Sequence, residues 1–148
     1  MSECKQVMAP VRIDFAGGTT DIYPFTHLYG GAVLNSTINR FVKGKIFKSH
    51  DKTGLEYSGN IPTSSGLGTS GVMNLVWLAL ISNKSRFSKS VKFNLAMDVF
   101  RLEQSLRGVG GKQDQFASAF GGFNFMEFNN DSVKVSRVKL KKSFVKEL

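Results

Sequence analysis

The sequence predicts an α+β domain of mixed strand order. Three observations carry that prediction. Apolar and polar residues alternate near the start, an apolar helical stretch and a second helical segment with an apolar stripe lie in the middle, and strand-like stretches return at the end. The chain of 148 residues has the length of one domain.

The elements follow in order. From Val7 to Phe15, the apolar Val11, Ile13 and Phe15 alternate with Arg12 and Asp14, as in a strand with one face inward. Gly17 and Gly18 end it. Gly31–Ile38 and Phe41–Ser49 are rich in β-branched and aromatic residues, which predicts two strands with a tight connection at Asn39 and Arg40. Gly54–Tyr57 reads as a short further strand, and Gly59–Gly68 as a loop. Helices are expected over Ser70–Ser82 and over Val91–Leu106. The second has a stripe of Leu95, Val99, Leu102 and Leu106, with Gly108 as its stop. A short helix over Asp114–Ala119 is set off by paired glycines. Strands over Phe123–Phe128 and Val133–Leu140 then meet at a turn of Asn129, Asn130 and Asp131.

Composition narrows the function classes. Hydrophobic residues make up 41% and charged residues 21%, which excludes a disordered chain. The net charge of +9 favours anionic ligands: nucleic acid, a membrane surface or phosphorylated small molecules. Part of it lies in a late run of Lys134, Arg137, Lys139, Lys141, Lys142 and Lys146. That run is a solvated edge or an RNA-binding stripe, and Phe144 is its one aromatic residue. The single cysteine, Cys4, excludes an internal disulfide and fits a reducing compartment. The start carries no leader pattern. The longest apolar stretch, Val72–Ile81, is too short to span a bilayer. A cytoplasmic protein without a membrane partner is expected.

The most informative stretch is Pro62-Thr63-Ser64-Ser65-Gly66-Leu67-Gly68-Thr69-Ser70-Gly71, which runs into an apolar helix. Glycines let backbone N–H groups approach an anion. A helix start offers unpaired N–H groups and partial positive charge. The combination makes a phosphate cradle. It is not a Walker A loop, because no Gly-Lys-Ser/Thr follows. A Ser or Thr capping an ordinary helix is the plainer alternative.

Three carboxylates stand out. Glu103 lies among Val99, Phe100 and Leu106 at helical offsets, either facing a cleft or pairing with Arg107. Asp114 follows Gly110 and Gly111 at a helix start, as a cap or as a general base beside a reacting hydroxyl. Lys112 beside it holds an anion or is solvated. Asp21, after Gly17-Gly18-Thr19-Thr20, is a turn residue or a ligand for sugar hydroxyls. Neither His27 nor His50 has company at zinc-ligand spacing.

Three segments, in order, resemble one family. Arg12-Ile13-Asp14-Phe15-Ala16-Gly17-Gly18-Thr19-Thr20-Asp21 resembles the first motif of the GHMP kinases. Pro62 to Ser70 resembles their second motif, Pro-x-x-x-Gly-Leu-Gly-Ser-Ser, the ATP phosphate loop. Gly110 to Gly122 is similar to the segment with the catalytic aspartate, most closely in the heptose 7-phosphate kinase and fucose kinase branch. The resemblance spans nearly the whole chain. It implies a ribosomal protein S5 domain 2-like fold, a mixed sheet with helices on one face, and phosphoryl transfer from ATP to a hydroxyl of a sugar or sugar phosphate. Asp114 would be base or orienter and Arg12 would stabilise charge. Pro62, Ser64, Ser65, Gly66, Leu67, Gly68, Thr69 and Ser70 would wrap the ATP phosphates. Asp21, Gly17, Gly18, Gly111 and Lys112 would face the sugar, and Ser70 and Glu103 would hold Mg²⁺.

The departures carry expectations of their own. Thr69 stands for the usual Ser and keeps a hydroxyl. Gly71 stands for Ala and loosens the helix start by about 1 kcal/mol. Ile46 leads almost directly to Pro62, where family members carry a longer stretch that helps cover the nucleotide. The expected organisation is therefore one amino-terminal domain over 1–148, internally shortened, without the family's second domain. Weak turnover is expected, or a second chain that supplies the missing wall. A non-catalytic nucleotide-binding fragment and an S5-like RNA-binding module are the alternatives, and the kinase motifs weigh against the latter.

Overall fold

The structure is a computed structural model that describes residues 4–49, 52–62, 65–82, 84, 86–141 and 143. Its elements are β1 (Cys4–Ala16), α1 (Phe25–Leu28), β2 (Gly31–Ser49), β3 (Lys52–Ser58), α2 (Thr69–Ile81), α3 (Lys89–Arg107), α4 (Gln113–Phe120), β4 (Phe123–Asn129) and β5 (Ser132–Arg137). The expected α+β class stands.

The sheet runs β1-β2-β4-β5, with β3 beside the far half of β2. A mixed sheet was expected, but every described pairing is antiparallel. The β4–β5 connection is a short turn, which forces reversal. The three helices between β3 and β4 bring the chain back against β2 in the opposite direction.

The two expected middle strands are one. β2 continues through Asn39 and Arg40, and its register against β1 slips there: Pro10 faces Phe41 while Arg12 faces Thr37. A tight two-residue hairpin needs positive φ at its central residues. Neither Asn39 nor Arg40 has it, since the described non-glycine positive angles are Thr19 and Asn130. Those two polar residues mark a bulge instead. Asn130 does sit in the expected β4–β5 turn, with φ 51°. Gly108 ends α3 as anticipated, at φ 74°, its N–H donating to the Gln104 carbonyl. The last strand stops at Arg137, short of Leu140. Helix α1 was not anticipated, and its four residues are too few for a periodic signal.

The core lies between the sheet and α2, α3 and α4. Ala9, Val11 and Val42 meet Val72, Leu75, Val76, Leu80 and Val99 in one cluster. Val33, Met126 and Phe128 meet Ala96, Phe116 and Ala117 in a second. On the opposite face Met8, Ile13, Phe15 and Phe125 are exposed. The expected inward trio is therefore split: Val11 is in the core, and past the register shift between Pro10 and Arg12 the residues Ile13 and Phe15 lie on the outer face. The helices thus cover one face, and they bring the starts of α2 and α4 to the end of β1 that carries Arg12.

Candidate active site

The loop before α2 is shaped by two glycines in the left-handed region, Gly66 at φ 70° and Gly68 at φ 71°. Gly68 is the N-cap residue, and no side chain caps the helix. The plainer alternative, a Ser or Thr cap, is therefore not what the chain builds. The first N–H groups of α2 are left to an outside acceptor, and negative charge is favoured there. Ser65 and Ser70 are exposed and Thr69 is half-buried, so their hydroxyls border the same opening. Ser64 lies outside the described residues.

Arg12 ties the loop to α4. Its backbone N–H donates to the Leu67 carbonyl at 3.3 Å. Its Nη1 donates to the Gly66 carbonyl at 2.7 Å, and its Nε to Asp114 Oδ1 at 2.7 Å. Its Nη2 lies 2.6 Å from the same oxygen. The arginine side chain is only 12% exposed and the aspartate 31%. Both contacts fall on Oδ1, and among the described residues Oδ2 accepts no hydrogen bond. Gly68 backs directly onto this carboxylate: a Cβ built there would lie 2.8 Å from Asp114 Cγ.

Glu103 comes from the C-terminal part of α3. Its Oε1 accepts from Asn74 Nδ2 at 2.9 Å and its Oε2 from Gln115 Nε2 at 3.4 Å. Asn74 lies one turn along α2 from Ser70, on the same face. Glu103 therefore stands beside the first turns of α2, braced by two amides that orient its carboxylate. The alternative pairing with Arg107 falls on a side chain outside those described. Sequence reasoning missed Asn74 and Gln115. The signal for Asn74 was a lone amide in an apolar helix four residues after Ser70.

No cluster of three His, Cys, Asp or Glu side chains occurs among the described residues, so no all-protein metal cage is built. A hydroxyl and an oriented carboxylate do suit Mg²⁺, which keeps waters and phosphate oxygens as its other ligands.

The remaining expected residues sit behind the opening. Asp21 is 3% exposed and accepts the Gln113 N–H at 2.8 Å, bracing the start of α4. Burial pushes its carboxyl pKa up, against the opposing pull of backbone N–H groups at Gln113, Asp21 and Lys112. Gly111 leaves room for it, since a Cβ there would collide with the Asp21 carboxylate. Lys112 is buried as well. Its Nζ donates to the Asn130 carbonyl at 3.0 Å and lies 4.9 Å from the Phe100 ring centre. Desolvation lowers its pKa. As placed, neither side chain offers a polar atom to the opening. Gly17 (φ 86°) turns the chain after β1, and Gly18 backs onto the Asp14 carboxylate. Asp14 Oδ1 is buried without a partner. It shares the β1 face of Arg12, as the period-two alternation had implied.

The late basic run is partly used internally. Lys134 pairs with Glu127 at 2.7 Å, and Arg137 Nη2 donates to the Phe120 carbonyl at 3.3 Å. Lys142, Phe144 and Lys146, like His50, lie outside the described residues.

Comparison with known proteins follows the same geometry. Residues 33–122 match the family described as GHMP kinases N terminal domain. The D-glycero-alpha-D-manno-heptose 7-phosphate kinase of Campylobacter jejuni is 32% identical over 198 aligned positions, covering 97% of this chain and 56% of that protein. The crystal structure of a D-glycero-D-manno-heptose 1-phosphate kinase from B. thetaiotaomicron superposes with TM-score 0.80 at 27% identity, over 99% of this chain and 63% of that one. The mevalonate kinase of Methanococcus jannaschii shares the fold, with TM-score 0.68 at 13% identity over 93% and 56%. The chain thus spans 56–63% of the length of these relatives.

Proposed function

The chain belongs to the GHMP kinases, and from that premise we propose that it forms the ATP-phosphate and Mg²⁺ side of a kinase acting on a heptose phosphate. The observation that carries this reading is the Arg12–Asp114 pair, held against an uncapped helix start by the Gly66 carbonyl. An uncapped helix start beside a carboxylate with one unbonded oxygen is the pairing that phosphoryl transfer uses.

In this reading the N–H groups at the start of α2 bind the phosphate chain of ATP. Arg12 stabilises the charge on the transferred group and holds Asp114 in place. Asp114 Oδ2 accepts the proton of the sugar hydroxyl as its oxygen bonds to phosphorus and the bond to the ADP oxygen breaks. Ser70 and Glu103 hold Mg²⁺, which neutralises phosphate charge when bound. Asp21 and Lys112 act from behind, by fixing the turn that carries Asp114. The sugar-facing roles expected of Gly17, Gly18 and Gly111 rest on the family resemblance. The heptose phosphate is favoured because the two relatives described above at 32% and 27% identity are named for it.

An interior shortening is supported by the aligned length, 198 positions against 148 residues, and the sequence reading puts it before the phosphate loop. With part of the cover over the nucleotide removed, water reaches the reacting groups, and slow turnover is expected unless another domain or chain closes the cleft. A cytoplasmic location fits the single cysteine. Among the described residues no helix is long and apolar enough to cross a membrane.

A coupled ADP-release assay with ATP, Mg²⁺ and heptose 7-phosphate tests the reading. Substrate-dependent ADP release that Asp114→Asn lowers by about 100-fold or more is the expected result. Equal rates in the two proteins would remove Asp114 from the chemistry.

A further inference from the structure

Two residues beyond Arg12 on β1 stands a second carboxylate, Asp14. It shares the Arg12 face of the strand and lies opposite Asn35 in the ladder. The residue is half-buried, and its Oδ1 is buried without a partner among the described residues. No ion pair among those residues involves it. The cation next along the strand is already engaged: Arg12 Nε and Nη2 go to Asp114, and Nη1 to the Gly66 carbonyl. A partly buried carboxylate without donors costs stability, so its presence calls for a donor from outside the chain.

Both flanks of Asp14 converge on the first turn of α4. On one side Arg12 bonds to Asp114. On the other the chain turns at Gly17, passes Gly18 and reaches Asp21, which accepts the Gln113 N–H at 2.8 Å. Asp14 thus stands between two tethers to residues 113 and 114. Residues two apart on a strand are separated by about 6.6 Å, so a polyol whose reacting hydroxyl sits at Asp114 carries further hydroxyls toward Asp14. Gly18 keeps the place clear, because a Cβ there would strike Asp14 Oδ2. Asp21, which motif order marks for the sugar, is by contrast buried and committed to the Gln113 N–H.

Resting on the kinase reading above, we propose that Asp14 is a specificity-determining residue of the acceptor site. Its carboxylate accepts a hydrogen bond from a hydroxyl of the sugar other than the one attacked. Such a bond is charge-assisted and therefore stronger than one between neutral groups. The phosphate of a sugar phosphate is repelled by the same carboxylate, so Asp14 also sets which end of the sugar points toward β1.

The variant Asp14→Asn tests the proposal, since asparagine keeps the shape and loses the charge. In the coupled ADP-release assay KM for heptose 7-phosphate should rise about tenfold, with KM for ATP unchanged and kcat within about threefold. Titration calorimetry with heptose 7-phosphate, on the chain holding a non-hydrolysable ATP analogue and Mg²⁺, should read the same weakening without turnover. Urea denaturation separates a ligand from a brace. Removing an unpaired, partly buried charge should leave the midpoint unchanged or raise it. A carboxylate held internally by a turned-over Asn35 amide would instead make the variant less stable. Equal sugar affinity in the two proteins overturns the proposal. So does weaker affinity that comes with a lowered urea midpoint, and so does a parent chain that binds no sugar phosphate. ADP release that Asp114→Asn lowers, with sugar KM untouched by Asp14→Asn, overturns this proposal and keeps the kinase reading. The reverse pattern keeps the sugar contact and removes Asp114 from the chemistry.

Discussion

Gly68→Ala is the substitution that probes the site most sharply, because it meets two separate obstacles. At φ 71° an alanine is in the left-handed region, which costs about 1–2 kcal/mol. Stiffening the unfolded chain returns about 0.4–1 kcal/mol of that. The new Cβ would also lie 2.8 Å from Asp114 Cγ and 3.0 Å from its Oδ2. The carboxylate must then move off the Arg12 guanidinium, which it meets at 2.6 and 2.7 Å. Weakening a charge-assisted bond of this kind costs about 1–3 kcal/mol. The expected loss is therefore about 2–4 kcal/mol, of which the larger share depends on Asp114. Gly66→Ala is the matched control. It has the same strain, at φ 70°, but a Cβ there meets nothing among the described residues within 4 Å. Its expected loss is about 1 kcal/mol. Urea denaturation of both variants, with and without Asp114→Ala, separates the terms. Gly68→Ala should couple to Asp114→Ala by about 1–3 kcal/mol, and Gly66→Ala should not. Equal losses for the two glycines, or no coupling at Gly68, would refute the close approach on which the site depends.

Two further outcomes follow from the residues behind the opening. Gly111→Ala should cost about 2–4 kcal/mol in urea denaturation, because its Cβ would expel Asp21 from the Gln113 N–H. A loss under about 0.5 kcal/mol would show that Asp21 does not brace α4. Burial raises the Asp21 pKa above its ordinary 3.8. Between that value and the raised one the folded chain binds more protons than the unfolded chain, so this residue makes stability fall as pH rises through that window. Asp21→Asn keeps an acceptor oxygen and does not titrate. Subtracting its stability profile from the wild-type one should leave a curve that falls with rising pH, and a rising difference would contradict the assigned cause.

The helical part of the fold was legible in the sequence because its signals are local. An apolar run after the glycine loop marked α2, an apolar stripe marked α3 although its last member, Leu106, is exposed, and Gly108 marked a stop that needs positive φ. The sheet was less legible because its pairing is not local. Asn39 and Arg40 look like a turn in isolation. Only the 13 residues of β1, running past both halves of β2, show that the chain continues through a bulge. The same division holds at the site. Arg12, Gly68, Ser70, Glu103 and Asp114 could be named from motif order. Their supports could not, because Asn74 and Gln115 become meaningful only when three helices meet around Glu103. Asp21 and Lys112 carry sequence cues that suit a ligand and a structural brace equally. As the chain stands both are buried and bonded internally, one to the start of α4 and the other to the β4–β5 turn.

The central claim is that the start of α2, with Ser70 and Glu103, seats a magnesium-bound nucleoside triphosphate. Titration calorimetry with a non-hydrolysable ATP analogue tests it most directly. The account predicts saturable binding that strengthens when Mg²⁺ is added, and a Mg²⁺-dependent gain that disappears in Ser70→Ala combined with Glu103→Gln. Binding that ignores Mg²⁺, or an absence of heat at any concentration up to the millimolar range, would contradict it.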